Sequence, residues 1–308
     1  MPPSLSQVAQ WRQLPFLTLV GLAQAAKLRH RGQAVALCSI VNAKSGACSE
    51  DCAFCVQSAH FHDCRPPVYP LKSHDELVAA ARQARADGAQ HFSIVTSGRG
   101  LPKAEVLRVA AAVTAIRSEV GITPCASLGI LDAGDLARLR DAGLVRYHHN
   151  LEAAPSFFPR ICSTHTFAER VATIEAAQQV GLEVCSGGIF GLGEGEEERI
   201  ELALFLAGLG VQSVPLNVLI PLPGTPLADQ PPPAVLELLR AIALYRLIMP
   251  ALPIRLAAGR ETVLADFLGL ALLAGADGMM IGGYLTQRGR PPALDLALVR
   301  EMHQLWSA

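Results

Sequence analysis

The stretch Val35-Ala-Leu-Cys-Ser-Ile40, which leads into a cysteine-containing loop at residues 45–58, indicates the fold. This short apolar run predicts a β-strand, and seven similar runs follow with helical patterns between them. Such alternation is typical of a parallel sheet, and eight units in about 250 residues match the size of a (β/α)8 barrel. We therefore predict an α/β fold, a TIM-type (β/α)8 barrel. The predicted strands are Val35–Ile40, His91–Thr96, Ile122–Ser127, Leu144–Asn150, Leu182–Ile189, Val211–Leu219, Pro253–Ala257 and Gly278–Ile281.

Helices are predicted between these strands and before the first of them. A helical extension at about residues 6–30 precedes the first strand, so we expect an extension over 1–31 and a barrel over 32–308. The alternative fold, an open doubly wound sheet, would have a Gly-x-Gly-x-x-Gly turn after its first strand, and the sequence has none there. The other predicted helices are Ser73–Ala86, Ala104–Val120, Asp135–Ala142, Phe167–Val180, Glu196–Gly208, Ala234–Met249 and Thr262–Ala274.

Composition narrows the class of protein. Of the 308 residues, 51% are hydrophobic and 17% are charged, which is enough apolar material for a large core. The net charge of −1 gives no electrostatic reason to expect a nucleic acid or an anionic membrane as partner. The apolar stretch at 263–285 is interrupted by Asp266 and Asp277 and predicts a buried helix and strand. No signal peptide is evident, and eight cysteines then indicate a reducing compartment such as the cytoplasm.

Three cysteines, Cys48, Cys52 and Cys55, form a C-x3-C-x2-C run in the loop after the first strand. The run places three thiolates in one short loop without a fourth, which leaves one iron of an iron–sulfur cube open to a small chelating molecule. Structural zinc is the alternative, but it requires four protein ligands, and the fourth would come from elsewhere, for example His60, His62 or Cys64. Ligand count and softness favour the open iron–sulfur site over zinc.

Several longer motifs, in the same order, resemble the biotin synthase family of radical S-adenosylmethionine (SAM) enzymes. The stretch from Asn42 to Ser58 resembles that family's cluster loop, and further matches extend to the C-terminus. They are Tyr147-His-His-Asn-Leu-Glu152, Cys185-Ser-Gly-Gly-Ile-Phe-Gly-Leu-Gly-Glu194 and Arg255-Leu-Ala-Ala-Gly-Arg-Glu261. The resemblance implies that Cys48, Cys52 and Cys55 hold a [4Fe-4S] cluster whose open iron binds SAM, and that the reduced cluster cleaves SAM to a 5′-deoxyadenosyl radical.

The same resemblance implies a SAM site at the ends of the strands. Taken singly, some of its residues have ordinary alternatives: Glu152 as an acid at a helix N-terminus and Arg170 as a solvated helix residue. Arginine suits a carboxylate because its planar group can donate two parallel hydrogen bonds. The implied contacts are Phe54 and Ile189 near the adenine, Thr96 and Ser97 near the methionine amine, Glu152 on the ribose hydroxyls and Arg170 on the methionine carboxylate.

An auxiliary iron–sulfur cluster deeper in the barrel is also implied, with Cys125, Cys185 and Arg255 as ligands. The family's remaining cysteine is Ser93 here. Interior side chains of a barrel stack in layers built from alternate strands, so we hypothesise that Cys38 takes over the missing role and that the cluster is either [2Fe-2S] or a larger variant. Cys38 as a small buried hydrophobe, and Arg255 as a charge balance alone, are the alternatives. Cys64 and Cys162 are interpreted as non-ligands.

For substrate and partners, the resemblance implies dethiobiotin, converted to biotin by sulfur insertion at two unactivated carbons. Contacts to its ureido ring are expected from His148, Asn150 and Asn217. A reduced flavodoxin or ferredoxin would supply electrons, and a homodimer is expected. The alternatives are another radical SAM barrel enzyme, of the hydrogenase-maturation or methylornithine-forming kind, and a metal-binding protein without catalytic activity.

Overall fold

Nine parallel strands form one sheet in the computed structural model, which describes residues 3–64, 66–285 and 289–308. All eight predicted strands are present, within a few residues of the predicted bounds. The order of the strands in the sheet is β5-β4-β3-β2-β1-β9-β8-β7-β6. They are β1 Ala36–Lys44, β2 His91–Thr96, β3 Thr123–Ser127, β4 Arg146–His148, β5 Glu183–Cys185, β6 Gly188–Phe190, β7 Val214–Val218, β8 Ile254–Leu256 and β9 Gly278–Met280.

The sheet closes into a barrel because β5 and β6 are two halves of the predicted fifth strand. The first half also bridges towards β7 through Cys185 and Ser213, and the second half bridges back towards the end of β4 through Gly188 and Glu152. This broken strand therefore has hydrogen-bonded neighbours on both sides, as an interior strand of a closed barrel must. The prediction of an eight-unit (β/α)8 barrel is confirmed, with one strand interrupted.

Gly187 explains the interruption. Its N–H donates to the Asn150 side-chain oxygen at 3.3 Å. A Cβ built at this position would lie 1.9 Å from the carbonyl oxygen of Pro215 on β7. The backbones therefore approach so closely that glycine alone fits.

Replacing Gly187 with alanine is expected to lower the free energy of unfolding by about 1–3 kcal/mol or more, because the added methyl overlaps the backbone of β7. Gly208 in the helix Glu196–Leu209 is a matched control, since a Cβ there meets nothing within 4 Å. Gly208→Ala is expected to be neutral or to stabilise by up to about 1 kcal/mol. Urea unfolding of the cluster-free protein measures both, and equal stability of the two variants would contradict the explanation.

The helices surround the barrel, and the N-terminal pair packs on it through contacts of the helix Phe16–Arg31 with the helix Val235–Ile248. Two features differ from the sequence prediction. The predicted helix Thr262–Ala274 is broken into a helix at Arg260–Val263, a 3₁₀ turn at Ala265–Phe267 and a helix at Leu268–Leu273. The last helix, Pro292–Ser307, was not predicted. The helices are α1 Leu5–Arg12, α2 Phe16–Arg31, α3 His74–Ala86, α4 Lys103–Ala115, α5 Ala133–Asp141, α6 Phe167–Gln179, α7 Glu196–Leu209, α8 Val235–Ile248, α9 Arg260–Val263, α10 Leu268–Leu273 and α11 Pro292–Ser307.

The C-terminal helix is fixed to the barrel by a buried ion pair. The two terminal nitrogens of Arg260 donate to the two carboxylate oxygens of Asp295 at 3.1 and 2.6 Å, and both side chains are almost fully buried. The Nε of Arg260 also donates to the Met280 carbonyl at the end of β9. Among the described residues, no helix combines the length and apolar character that a membrane crossing requires.

Candidate active site

A cavity of about 440 Å³ extends from the cysteine loop into the barrel. Every residue that the sequence analysis proposed for cluster, SAM or substrate binding lines this cavity, at the carboxyl ends of the strands or below them. Such ends carry the active sites of barrel enzymes. The cavity therefore brings the predicted residues together, whereas Cys64 and Cys162 do not line it.

The cysteine loop is held in shape by bonds within itself and to β2. The backbone N–H of Cys48 donates to the Gln57 carbonyl at 2.9 Å, and the Gln57 side chain accepts from the N–H of Gly46. The Ser97 hydroxyl donates to the Gly46 carbonyl at 2.8 Å. Ser97 thus supports the loop from below, while the buried hydroxyl of Thr96 has no hydrogen-bond partner among the described residues.

The turn 162–165, between β4 and α6, is fastened to the cysteine loop by Asp51. The Asp51 carboxylate accepts from the backbone N–H groups of Ser163 and Thr164 at 2.9 and 3.2 Å. Although burial opposes it, hydrogen bonds from Ser163, Cys162 and Thr164 hold the pKa of Asp51 below its ordinary value. The two loops therefore form one hydrogen-bonded unit.

Arg170 on α6 connects this unit to the mouth of the cavity. Its Nε donates to Nε2 of His165 at 3.0 Å, and one terminal nitrogen donates to the Asn150 carbonyl at 2.7 Å. Nδ1 of His165 lies 2.5 Å from the Glu50 carboxylate. Since His165 accepts through Nε2, its proton is assigned to Nδ1, which donates to Glu50. The guanidinium is thereby held at the cavity wall.

Glu152 lies beside Arg170 in a strained backbone conformation. Its φ is +67°, rare for a residue other than glycine, and such conformations concentrate at functional sites. One carboxylate oxygen lies 3.7 Å from Arg170, and the other is buried without a hydrogen-bond partner among the described residues. Burial raises the pKa of Glu152 above its ordinary value, against the opposing effect of Arg170. The unpaired oxygen fits a ligand hydroxyl.

The register of the strands defines layers in the barrel interior. In an eight-stranded barrel of shear 8, the residues at one height shift from strand to strand. On each next strand, the residue at the same height lies one position beyond the residue paired in the register. Cys38 on β1 pairs with His91 on β2, and His91 pairs with Thr123 on β3. Two residues beyond Thr123 is Cys125. Cys38 and Cys125 therefore belong to the same layer.

The same step of two strands and two residues continues around the barrel. It leads from Cys125 to Cys185, from Cys185 to Arg255, and from Arg255 back to Cys38. Four steps of two residues give eight, the shear of this kind of barrel. The three cysteines and the arginine thus form one complete interior layer, a consequence of register that spacing along the chain does not reveal.

Ser93 belongs to the next layer towards the cysteine loop, so Cys38 and Ser93 are not at the same height. The same step of two strands and two residues, started at Ser93, defines a layer above the thiols. Started at His91, it defines a layer below them. The upper layer consists of Ser93, His148, Pro215 and Met280, and the lower layer of His91, Arg146, Ser213 and Gly278.

In the thiol layer Cys125, Cys185 and the cation Arg255 are buried, and Cys38 is half-buried. Burial raises the pKa of the Cys125 thiol to about 12 and also raises that of Cys185. Burial alone would lower the pKa of Arg255, yet the nearby thiols, Cys38 first among them, raise it. Metal coordination deprotonates such thiols outright, and the arginine offsets their negative charge.

Buried donors around this layer lack partners among the described residues. They are Nε and one terminal nitrogen of Arg255, a terminal nitrogen of Arg146, Nε2 of His148 and the hydroxyl of Ser93. Buried polar groups in proteins are normally hydrogen-bonded. An anionic group that is held by thiolates and offers sulfide acceptors fits both the ligands and the unpaired donors.

The residues expected at the substrate differ in how much of their polar surface is available. Both ends of the Asn217 amide are bonded to backbone: Nδ2 donates to Gly188 and Oδ1 accepts from Ala258, at 3.2 and 3.1 Å. One N–H of Asn217 remains for a ligand. Burial lowers the pKa of His148 to about 3, helped by Arg146, so this imidazole is neutral and can donate or accept.

The family comparisons agree with this geometry. Residues 43–206 match the family model of the radical SAM superfamily, and residues 215–304 match that of the biotin and thiamin synthesis associated domain. A biotin synthase of Heliobacterium modesticaldum is 51% identical over 92% of this chain and 87% of its own length. One of Desulforudis audaxviator is 50% identical over 94% of this chain and 87% of its own length. The chain belongs to the biotin synthase family.

As a member of the biotin synthase family it is a radical SAM enzyme whose cofactors are a [4Fe-4S] cluster, SAM and an auxiliary iron–sulfur cluster. Solved structures with a similar fold include a methylornithine synthase, with a TM-score of 0.83 at 18% identity over 99% of this chain and 93% of that one. An FeFe-hydrogenase maturase of Carboxydothermus hydrogenoformans has a TM-score of 0.82 at 20% identity, over 98% of this chain and 75% of that one. At these identities they show the fold alone, and the two alternative functions gain no support from them.

Three residues near the biotin synthase site were missed by the sequence analysis. Glu50 and His165 line the cavity, where Glu50 holds His165 and His165 accepts from Arg170. Cys162, interpreted as a non-ligand, has its sulfur 3.9 Å from that of Cys52. A signal existed for Glu50, since it lies between two of the loop cysteines. His165 and Cys162 are more than a hundred residues from that loop, and a single sequence does not show such a contact.

Proposed function

We propose that this chain makes biotin from dethiobiotin, with SAM bound at the cysteine loop and the sulfur drawn from the auxiliary cluster held by Cys38, Cys125, Cys185 and Arg255. The observation that carries the proposal is the register, which joins these four residues in a single layer that lines the cavity. When bound, the reduced [4Fe-4S] cluster and SAM supply a 5′-deoxyadenosyl radical, and the auxiliary cluster supplies sulfide.

At the mouth of the cavity the chain binds and orients SAM. Cys48, Cys52 and Cys55 hold the cluster through their thiolates. Arg170, held by His165 and the Asn150 carbonyl, pairs with the methionine carboxylate. The unpaired oxygen of Glu152 accepts from the ribose hydroxyls.

The other SAM contacts follow from the position of each group in the cavity wall. Thr96 offers an unpaired buried hydroxyl to the methionine amine, and Ser97 keeps the loop in place from beneath. Phe54 and Ile189 present apolar surface to the adenine. The backbone N–H of Ile189 already donates to the Glu152 carbonyl at 2.8 Å, so the adenine and ribose contacts are fixed relative to each other.

Between the two clusters the chain positions the ureido ring. His148 lies in the layer directly above the thiols, and its neutral imidazole has an unpaired Nε2. Asn150 and Asn217 add amide groups on opposite sides of Gly187 and Gly188. The apolar lining of the cavity excludes water from the carbon atoms that react.

The partners complete the proposal. A reduced flavodoxin or ferredoxin delivers electrons in the cytoplasm, and the chain acts as a homodimer. Leu17, Leu22 and Leu28 on α2 are exposed, which supports a contact between copies through this helix. Sedimentation equilibrium of the cluster-loaded protein measures the oligomeric state.

Anaerobic incubation of the reconstituted enzyme with dethiobiotin, SAM and reductant is expected to yield biotin, together with two equivalents of 5′-deoxyadenosine because two C–H bonds are broken. Mass spectrometry quantifies both products. Omitting dethiobiotin controls for uncoupled cleavage of SAM. The absence of both biotin and 5′-deoxyadenosine from enzyme with a full complement of iron would refute the proposed function.

A further inference from the structure

Cys52, Cys162 and His165 form a compact group of metal-ligating side chains beside the cavity. Their ligand atoms all lie within 4.8 Å of one another, and all three residues are buried. Cys52 comes from the cysteine loop, whereas Cys162 and His165 come from the turn before α6. No role in the proposed reaction uses Cys162.

Two distances within this group fit one tetrahedral metal ion, and the third, between Cys52 and His165, is within 4.8 Å. Two thiolates at about 2.3 Å from one tetrahedral ion are about 3.8 Å apart, and the sulfurs of Cys52 and Cys162 are 3.9 Å apart. A sulfur and an imidazole nitrogen on the same ion are about 3.6 Å apart, and the Cys162 sulfur lies 3.3 Å from Nδ1 and 3.8 Å from Nε2 of His165. Thiolates on different irons of a cluster are further apart, because two irons and a bridging sulfide lie between them.

The outer contacts of His165 also fit metal binding. Nε2 of His165 carries the lone pair, since it accepts from Arg170, and Nδ1 donates to the Glu50 carboxylate. A carboxylate that accepts from the second ring nitrogen is the usual support of a metal-bound histidine. A metal on Nε2 replaces one hydrogen bond of Arg170, which keeps its bond to the Asn150 carbonyl.

The group is also preorganised. Asp51 fastens the turn of Cys162 through the N–H groups of Ser163 and Thr164, and the N–H of Ala53 donates to the Ile161 carbonyl at 2.8 Å. These bonds hold the two loops together without a metal. Two thiolates and a histidine suit zinc, with a water molecule in the fourth position.

We propose that Cys52, Cys162 and His165 bind a single thiophilic divalent cation, such as Zn²⁺, in the cluster-free chain. Occupancy excludes the [4Fe-4S] cluster because Cys52 serves both sites, a consequence that rests on the proposed function of Cys52. Assembly of the cluster in this chain is therefore sensitive to zinc.

The first test titrates the reduced, cluster-free chain with Co²⁺ alone and counts bound ions by equilibrium dialysis, with absorption reporting thiolate ligation. Cys162→Ser is expected to bind one ion fewer than the unmodified chain. Cys48→Ser is the matched control, because it removes a cluster ligand outside the group and should bind as many ions as the unmodified chain. His165→Asn is a second variant. It is expected to lower the affinity for this ion by at least roughly 10- to 100-fold, the effect of losing a hydrogen-bond partner of a metal ligand.

These readouts need neither SAM nor dethiobiotin, so they succeed or fail independently of the proposed function. Unchanged binding in Cys162→Ser would overturn the proposal. So would the loss of the same ion in Cys48→Ser, since the cysteine loop alone would then be the site.

The second test measures competition. One equivalent of Zn²⁺, added before anaerobic reconstitution, is expected to lower the yield of the [4Fe-4S] cluster seen by Mössbauer spectroscopy in the unmodified chain and not in Cys162→Ser. Without zinc, the two chains should load equally, which shows that the variant is folded. An equal effect of zinc on both chains would contradict the exclusion.

Discussion

Replacing Cys38 with alanine is expected to remove the auxiliary iron while the [4Fe-4S] cluster at Cys48, Cys52 and Cys55 remains. Cys38 completes the layer of Cys125, Cys185 and Arg255, and among the described residues the register places no further thiol in that layer. Loss of a residue that only hydrogen-bonds a metal ligand lowers metal affinity by roughly 10- to 100-fold. Loss of the ligand Cys38 should lower the affinity for the auxiliary cluster by at least as much. Biotin formation should fall accordingly, to less than about a tenth. Mössbauer spectroscopy with iron and sulfide analysis separates the two clusters.

Two controls make the Cys38 experiment specific. Ser93→Ala tests the layer above and should keep the auxiliary iron, because Ser93 is one residue nearer to the cysteine loop. Cys64→Ala removes a buried cysteine outside the cavity and should load normally. The exchange variant Cys38→Ser with Ser93→Cys moves the thiol up one layer and should alter the Mössbauer parameters of the auxiliary cluster. A full auxiliary complement in Cys38→Ala would show that Cys38 is a small core residue.

The barrel could be predicted from sequence because each strand is a short apolar run and each helix a longer amphipathic one. The break in the fifth strand could not, since it arises from the approach of Gly187 to Pro215, two residues that are distant in the chain. The last helix, Pro292–Ser307, was missed because it begins at a pair of prolines, Pro291 and Pro292, and its apolar face depends on the barrel beneath. Thr262–Ala274 has a helical pattern, but Ala265 has a φ of +43°, which an α-helix does not accommodate, and the helix is interrupted at the 3₁₀ turn Ala265–Phe267.

The site was predictable where ligands are close in sequence or carry a family motif, as in the loop of Cys48, Cys52 and Cys55. The proposal that Cys38 shares a layer with Cys125 needed only the alternation of strands, and the register agrees with it. The group of Cys52, Cys162 and His165 was not predictable, because it depends on how two loops meet. Local spacing reports single loops, whereas contacts between loops require the fold.

Replacing Arg170 with methionine is expected to weaken SAM binding about 30-fold or more. Arg170 is largely buried, lies 3.7 Å from Glu152 and donates to His165 and the Asn150 carbonyl. Removal of one partner of a buried charged pair costs about 2–5 kcal/mol, and each 1.4 kcal/mol is about tenfold in affinity. The loss has two parts, because the variant removes the partner of the methionine carboxylate and also leaves Glu152 without a nearby cation. Anaerobic calorimetry with SAM and cluster-loaded enzyme measures it.

Arg170→Lys separates charge from geometry. Lysine keeps the positive charge but loses the planar fork, so it cannot bond the methionine carboxylate in parallel while also donating to His165. The affinity of Arg170→Lys for SAM should fall between those of the unmodified chain and Arg170→Met. Arg82→Lys, in an exposed pair with Glu119, is the control and should bind SAM normally. If Arg170→Met binds SAM as well as the unmodified chain does, Arg170 only fastens α6 to the turn of His165, and the methionine carboxylate must be held by another cation of the cavity, for which Arg99 is the candidate.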